Sequence, residues 1–186
     1  MEILKKLHQR NFGKMKNLKQ ISLDLKYPTD KDTYHNYMPI YQNELDKTEN
    51  IKLLELGIYT GGSLRLWQEY FKKSEIHGVE CTNHDQTITI PGIMHWGKYE
   101  DIYEQFEDNY FDYIINDSMH DATSQIHAFK LYYPKLKLGG KFFMEDIINE
   151  NELNIIVNSI NGYNFKIYNM NDTSDSKDSI VIVVYK

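Results

Sequence analysis

"LLELGIYTGGSLRLW", residues 53–67, joins an apolar run to a glycine-rich turn and then to an amphipathic stretch. Residues 51–56, "IKLLEL", read as a strand. Residues 62–72 read as a helix with Leu64, Trp67 and Phe71 on one face. Gly57 lets the backbone turn sharply out of the strand, and Gly61 or Gly62 lets it approach a ligand with no Cβ in the way. The spacing is Glu55-x-Gly57-x-x-x-Gly61-Gly62. The dinucleotide fingerprint G-x-G-x-x-G is therefore absent. So is the phosphate cradle G-x-x-x-x-G-K-[ST], because Ser63 follows Gly62 and no lysine is present.

Outward from this turn the chain alternates. "EIHGVE" (75–80) reads as a second strand, followed by a short strand near 92–96 and a helix near 100–107. "FDYIIND" (111–117) is a strand. Residues 121–134 form a helix, with Asp121 as N-cap and Ile126, Phe129 and Tyr133 on one stripe. "GGKFFMED" (139–146) is a strand after a Gly-Gly turn, and a helix spans about 150–160. Two last strands, near 163–169 and 179–185, are joined by the polar loop "NDTSDSKD". Alternating strands and helices predict an α/β fold with a parallel sheet covered on both faces. The last loop is too short for a parallel crossover and favours an antiparallel hairpin. The expected architecture is a Rossmann-like, doubly wound, mostly parallel seven-stranded sheet with one antiparallel strand near the edge, plus N-terminal helices.

Upstream, the first 26 residues read as one or two helices. Met15, Leu18, Ile21 and Leu25 recur at helical spacing and Gly13 breaks the run. Residues 27–38 read as an ordered loop, and Pro39 suits the first turn of a helix over 39–47. The chain, 1–186, is expected to form a single domain, with helices and a lid segment in 1–50 and the Rossmann-like core in 51–186.

Composition narrows the function. One cysteine, Cys81, excludes an internal disulfide and a Cys-rich metal site, and suits a reducing compartment. The first residues lack the apolar core of a signal peptide and no stretch is long enough to span a membrane, so a cytoplasmic location is expected. Residues 1–31 hold eight Lys/Arg against three Asp/Glu, and the remainder 13 against 24. That balance disfavours a nucleic-acid binder.

In doubly wound sheets, ligands bind at the carboxyl ends of the strands. That rule picks out Glu55–Gly57, Glu80, Asp117 and Glu145–Asp146. Glu80, at the end of the second strand, can accept both hydroxyls of a ribose. With the glycine turn it describes a site for an adenosine-bearing ligand that makes little use of phosphate recognition. "INDSMH" holds Asp117 and His120, and "MED" holds Glu145 and Asp146. Neighbouring strands lie about 4.8 Å apart, so three carboxylates can converge on one volume. Like charges that close oppose one another's ionisation. A divalent cation such as Mg²⁺ resolves the conflict with all-oxygen ligation. His120 is then free to act as a base near neutral pH.

E-x-G-x-x-x-G followed by an acidic end to the second strand resembles the class I S-adenosylmethionine-dependent methyltransferases. The resemblance narrows to the metal-dependent sugar O-methyltransferases of macrolide tailoring, the macrocin and mycinamicin type. Three stretches carry it: "PTDKDTYHNYMPIY", "LELGIYTGGSLRLWQEYF", and "INDSMH" with "KLKLGGKFFMED". Together they cover roughly residues 27–147. Carried over, Gly57 and Gly61 border the methionine part of the cofactor, with Tyr59, Gly62 and Ser63 in the same site. Glu80 binds the ribose, and Glu55 supports the loop or the cofactor's amino group. Asp117, Glu145 and Asp146 are the metal ligands and His120 the general base. Thr29, Asp30, Lys31, His35 and Tyr37 lie over the cofactor and active site.

The stretches depart from the pattern in two places. Asn116 and Ser118–Met119 stand where that branch has Asp and Gly-Ser. Lys98, in "HWGKYED", stands where an acid usually reads the adenine amine, leaving Glu100 or Asp101 to substitute. The resemblance implies methyl transfer from S-adenosylmethionine to a sugar hydroxyl, free or in a glycan or glycoside. The product is S-adenosylhomocysteine, and a homo-oligomer stays open. The alternatives are methylation of a catechol-like or other vicinal diol, and a non-catalytic cofactor-binding module.

Overall fold

The computed structural model describes residues 17–26, 29–84 and 89–186. The helical expectations at Gly13 and Met15 lie outside the described residues. Seven strands form one sheet in the order β3-β2-β1-β4-β5-β7-β6. They are β1 (Lys52–Leu56), β2 (Glu75–Glu80), β3 (Ile93–Trp96), β4 (Phe111–Asn116), β5 (Leu136–Met144), β6 (Asn164–Asn169) and β7 (Ile180–Tyr185). Strands β1 to β5 pair in parallel, and β7 runs antiparallel to both β5 and β6. The single reversed strand next to the edge is the one the short polar loop predicted. Among the described residues no helix is long and apolar enough to cross a membrane.

The helices are α1 (Leu18–Asp24), α2 (Asp30–Thr33), α3 (Met38–Glu44), α4 (Gly62–Tyr70), α5 (Tyr99–Ile102), α6 (Ala122–Tyr132) and α7 (Glu150–Ser159). Side-chain caps start several of them. The Asp121 carboxylate accepts the Ser124 N–H at the head of α6, and Asn149 accepts from Asn151 and Glu152 at the head of α7. Each satisfies donors that have no partner within the helix.

The sheet has an apolar layer on each face. On one side Leu64 and Trp67 of α4 pack with Leu18 of α1 and Tyr41 of α3. On the other, Phe129 and Tyr132 of α6 meet Ile156 of α7 and Phe142 of β5. Each such buried side chain contributes roughly 1.5–3 kcal/mol of transfer free energy. The face predicted for α4 is buried at Leu64, Trp67 and Phe71. Of the stripe predicted for α6, Phe129 is buried while Ile126 and Tyr133 are half-buried.

Two expectations need correction. The stretch 27–38 is not all loop: Thr29 caps a single helical turn, α2, its hydroxyl accepting the Lys31 N–H. Gly139–Gly140 is not a turn before β5 but lies inside it. The pairing with β4 jumps there from Phe111–Leu136 to Tyr113–Lys141. Gly139 has φ +77°, and a Cβ on Gly140 would fall 2.8 Å from the Asp112 carbonyl oxygen. The glycines serve a bulge that a strand of bulkier residues would not admit.

The loop between β6 and β7 folds back over the strand ends. The N–H groups of Asp175 and Ser176 donate to the Tyr34 carbonyl at 2.9 and 3.3 Å, and Asn36 donates to Thr173. Residues 29–37 are thereby held against the carboxyl edge of the sheet.

Candidate functional site

Register brings the site together. Leu56 of β1 pairs with Asn116 of β4, which pairs with Met144 of β5. The next residue on each strand therefore emerges at the same level. The Asp117 N–H donates to Leu56 and the Glu145 N–H to Asn116. Gly57, Asp117 and Glu145 share one edge because three apolar strands end together.

The glycine turn is tied to Glu80. One carboxylate oxygen accepts the N–H groups of Ile58 (3.2 Å) and Tyr59 (3.0 Å), and the other accepts that of Cys81 (2.8 Å). Burial opposes the charge on Glu80, but the N–H donors of Tyr59 and Ile58 outweigh it and hold the carboxyl below its usual range. Glu80 is thus an ionised clamp on the turn and still faces the cleft.

The acids after β4 and β5 divide into an inner and an outer group. The inner group surrounds Lys31, which is 1% exposed. Its ammonium lies 2.6 Å from Asp117 Oδ2 and 3.1 Å from Glu55 Oε1, and it hydrogen-bonds Glu145 Oε2. Burial works against that ammonium, but Asp117, Glu145 and Glu55 prevail and keep it protonated well above the ordinary lysine range. The Tyr41 hydroxyl donates to Glu145 Oε1 at 2.7 Å, and the Trp67 indole N–H to Glu55 Oε2 at 2.9 Å.

The outer group is Asp117, His120 and Asp146. His120 Nε2 lies 3.8 Å from Asp117 and 3.5 Å from Asp146. The Tyr37 hydroxyl donates to Asp146 Oδ1 at 2.7 Å. Burial, then the nearby Asp117 charge, pushes the Asp146 carboxyl up to about 8, against the pull of Lys31 and Tyr37. Asp146 has φ +56°, a left-handed conformation that Asp tolerates better than most residues. His35 stacks on Tyr37 and shares a 3.0 Å hydrogen bond with Ser179, which brings the β6–β7 loop to the site.

The glycine turn, Glu80 and the outer group border one cleft of about 990 Å³. Of the residues singled out in the sequence, Thr29, Asp30, Gly57, Tyr59, Gly62, Ser63, Glu80, Asp117, His120 and Asp146 line it. The lining does not include Glu55, Gly61, Lys31, His35, Tyr37 or Glu145. Gly61 begins α4 in the left-handed conformation, and the other five form a layer beneath the wall. Lys98 and Glu100 reach the cleft and Asp101 does not. Sequence reasoning passed over Tyr41, Trp67 and His84. Tyr41 has a signal, since it stands four positions after Tyr37 and both hydroxyls reach an acid. His84, which packs beside Tyr59 at 4.8 Å, has none.

Donor atoms of Asp117, His120 and Asp146 all lie within 4.8 Å of one another. Two carboxylates beside open cleft suit a hard divalent ion that keeps several waters, with the His120 imidazole next to them. Glu55, Asp117 and Glu145 make a second such group, but Lys31 already sits among them.

No family model matches the chain. Curated relatives do. The chain is 30% identical over 129 aligned positions to the 8-demethyl-8-(2-methoxy-alpha-L-rhamnosyl)-tetracenomycin-C 3'-O-methyltransferase of Streptomyces olivaceus. That match takes in 61% of this chain and 33% of the relative. It is 24% identical to the mycinamicin VI 2''-O-methyltransferase of Micromonospora griseorubida, over 61% of this chain and 32% of that one. The matched stretch thus spans about a third of the relatives' own length. Among solved structures, the MycE methyltransferase of the mycinamycin pathway, in complex with Mg and SAH, superposes with TM-score 0.65 at 21% identity. That superposition covers 92% of this chain and 55% of MycE. An O-methyltransferase from Bacillus cereus, in complex with SAH, covers 100% of this chain and 98% of its own at TM-score 0.60 and 10% identity. The fold is that of the class I S-adenosylmethionine-dependent methyltransferases. In sequence the chain resembles O-methyltransferases named for rhamnosyl-tetracenomycin and mycinamicin substrates.

Proposed function

We propose that the chain is an S-adenosylmethionine-dependent O-methyltransferase that uses a divalent cation and acts on a hydroxyl of a sugar, free or within a glycan or glycoside. The observation that carries this reading is that one cleft holds both the Glu80-clamped glycine turn and the Asp117–His120–Asp146 group. The similarity to O-methyltransferases named for rhamnosyl-tetracenomycin and mycinamicin substrates supports the acceptor class. The Mg and SAH bound to MycE support the cofactors.

Residues Gly57–Ser63 and Glu80 would cradle the cofactor, and Asp117 and Asp146 would hold the ion, whereas Glu145, expected as a third ligand, has both oxygens engaged by Lys31 and Tyr41. When bound, the cofactor supplies an electrophilic methyl group and the ion supplies positive charge that acidifies a nearby hydroxyl. The acceptor enters from the open side, where the His120 side chain is 38% exposed. His120 accepts the hydroxyl proton at Nε2. Asp117 and Asp146, 3.8 and 3.5 Å from that nitrogen, orient the imidazole toward the cleft. Tyr37 holds Asp146 in place. Thr29, Asp30 and Tyr34 form the wall contributed by the N-terminal segment, which orients the acceptor and limits water. Orientation of this kind supplies much of the rate in a direct group transfer.

The test is calorimetry with S-adenosylhomocysteine, with and without Mg²⁺, followed by a panel of sugars and glycosides. Binding is expected, and no heat under either condition defeats the reading. His120→Ala is expected to lower turnover about 10²- to 10⁴-fold while keeping affinity for S-adenosylhomocysteine. Full activity in that variant removes the base assignment.

A further inference from the structure

The acids at the strand ends outnumber the charges of one divalent ion, and their inner half has a cation of its own. Glu55 and Glu145 are both 0% exposed. Each gives one oxygen to Lys31, and its other oxygen to a neutral donor, Trp67 or Tyr41. The Lys31 ammonium hydrogen-bonds Asp117 and Glu145 and forms an ion pair with Glu55 at 3.1 Å. Its position is set from outside as well. Thr29 caps the turn that carries it, and the β6–β7 loop holds Tyr34 three residues on. The outward oxygens, Asp117 Oδ1 and Asp146 Oδ2, face His120 and the cleft.

We propose that Lys31 is a positioning residue that divides this cluster, acting as a built-in cation for Glu55 and Glu145 and leaving Asp117 and Asp146 as the pair presented to a divalent ion. The inference rests on the divalent-ion part of the function proposed above. Without the ammonium, Glu55, Asp117 and Glu145 converge in a buried space with no positive charge between them. Their donor atoms lie within 4.8 Å of one another, a spacing that an ion can fill. Lys31 thus tunes how strongly, and how deeply, the site attracts a cation.

The experiment compares the full wild-type chain with Lys31→Met, using Mn²⁺ alone as the probe. Calorimetry is expected to show the variant binding Mn²⁺ at least about tenfold more tightly. That is a modest part of what removing a unit charge at this range allows. The variant should also melt below wild type in EDTA and regain most of that loss in Mn²⁺. Equal Mn²⁺ affinity in the two proteins, no Mn²⁺ heat in either, or a Tm loss identical with and without Mn²⁺ overturns the proposal. If Lys31→Met does not fold, Lys31→Met/Glu55→Gln removes one charge of each sign. That double variant is expected to fold and to bind Mn²⁺ near wild-type affinity. Its failure to fold assigns Lys31 to packing alone and overturns the proposal too. The methyltransferase reading is judged separately, by S-adenosylhomocysteine binding to the wild type.

Discussion

A Cβ added to Gly57, at φ +78°, would fall 2.2 Å from the carbonyl oxygen of Asp117. The atom in the way is backbone, so no side-chain rotation relieves the overlap. Gly57→Ala is expected to lose the about 1–2 kcal/mol of left-handed backbone preference, with the clash in addition. It should also displace Asp117. A urea midpoint unchanged from wild type would contradict this. Residues of this kind were legible, because a glycine after an apolar run announces a turn. Glu55 was legible as special but not in its role. Its partners are Trp67, which its spacing assigned to an apolar face, and Lys31, 24 residues upstream. Local pattern reports that a carboxylate is unusual. It does not report which cation or indole will meet it.

Among the elements, the strand–helix alternation was easy to read because each strand is a compact apolar run. The failures came at glycines and short helices. Gly139–Gly140 carries the same local signal in a turn as in a bulge, and only the register with β4 separates them. The turn α2 has four residues and too little periodicity to detect. A pairing that sequence spacing did not reveal joins β2 to β3. His77 Nδ1 and His95 Nε2 share a 3.0 Å hydrogen bond, with the rings stacked 9° from parallel. Burial lowers both pKa values, and the neighbouring His95 lowers that of His77 further. A histidine with a depressed folded pKa contributes its full stability above the unfolded pKa, near 6.5, and loses it as pH falls below that value. Urea midpoints at pH 7.5 and 5.5 should therefore differ by less in His95→Phe than in wild type. An equal difference would mean that the pair is not a source of the acid sensitivity.

Over the whole molecule, the direction of the strands followed from chain connectivity, while their order is a finding of the structure. Helical crossovers require parallel neighbours, and the short 170–179 loop forced β7 to reverse. The convergence of Asp117 with Gly57 was legible for the same reason, since parallel strands of similar length end together. The resemblance named Lys31, His35 and Tyr37, but the pairings they make in the layer beneath the cleft could not be read. Lys31, Tyr37 and Tyr41 reach acids 86 to 114 positions away, and such pairings leave no trace in local composition. Distance along the chain has a consequence for time. Contacts that close long loops must overcome chain entropy before they are rewarded, whereas β1, β4 and β5 gain from their own apolar pairing. The amides of residues 31–41 are expected to exchange with solvent deuterium through a smaller opening than those of β1 and β4. Equal protection across both groups would refute this. A molecule caught early in refolding would then carry an ordered sheet whose strand-end acids still face water, waiting for the N-terminal segment to cover them.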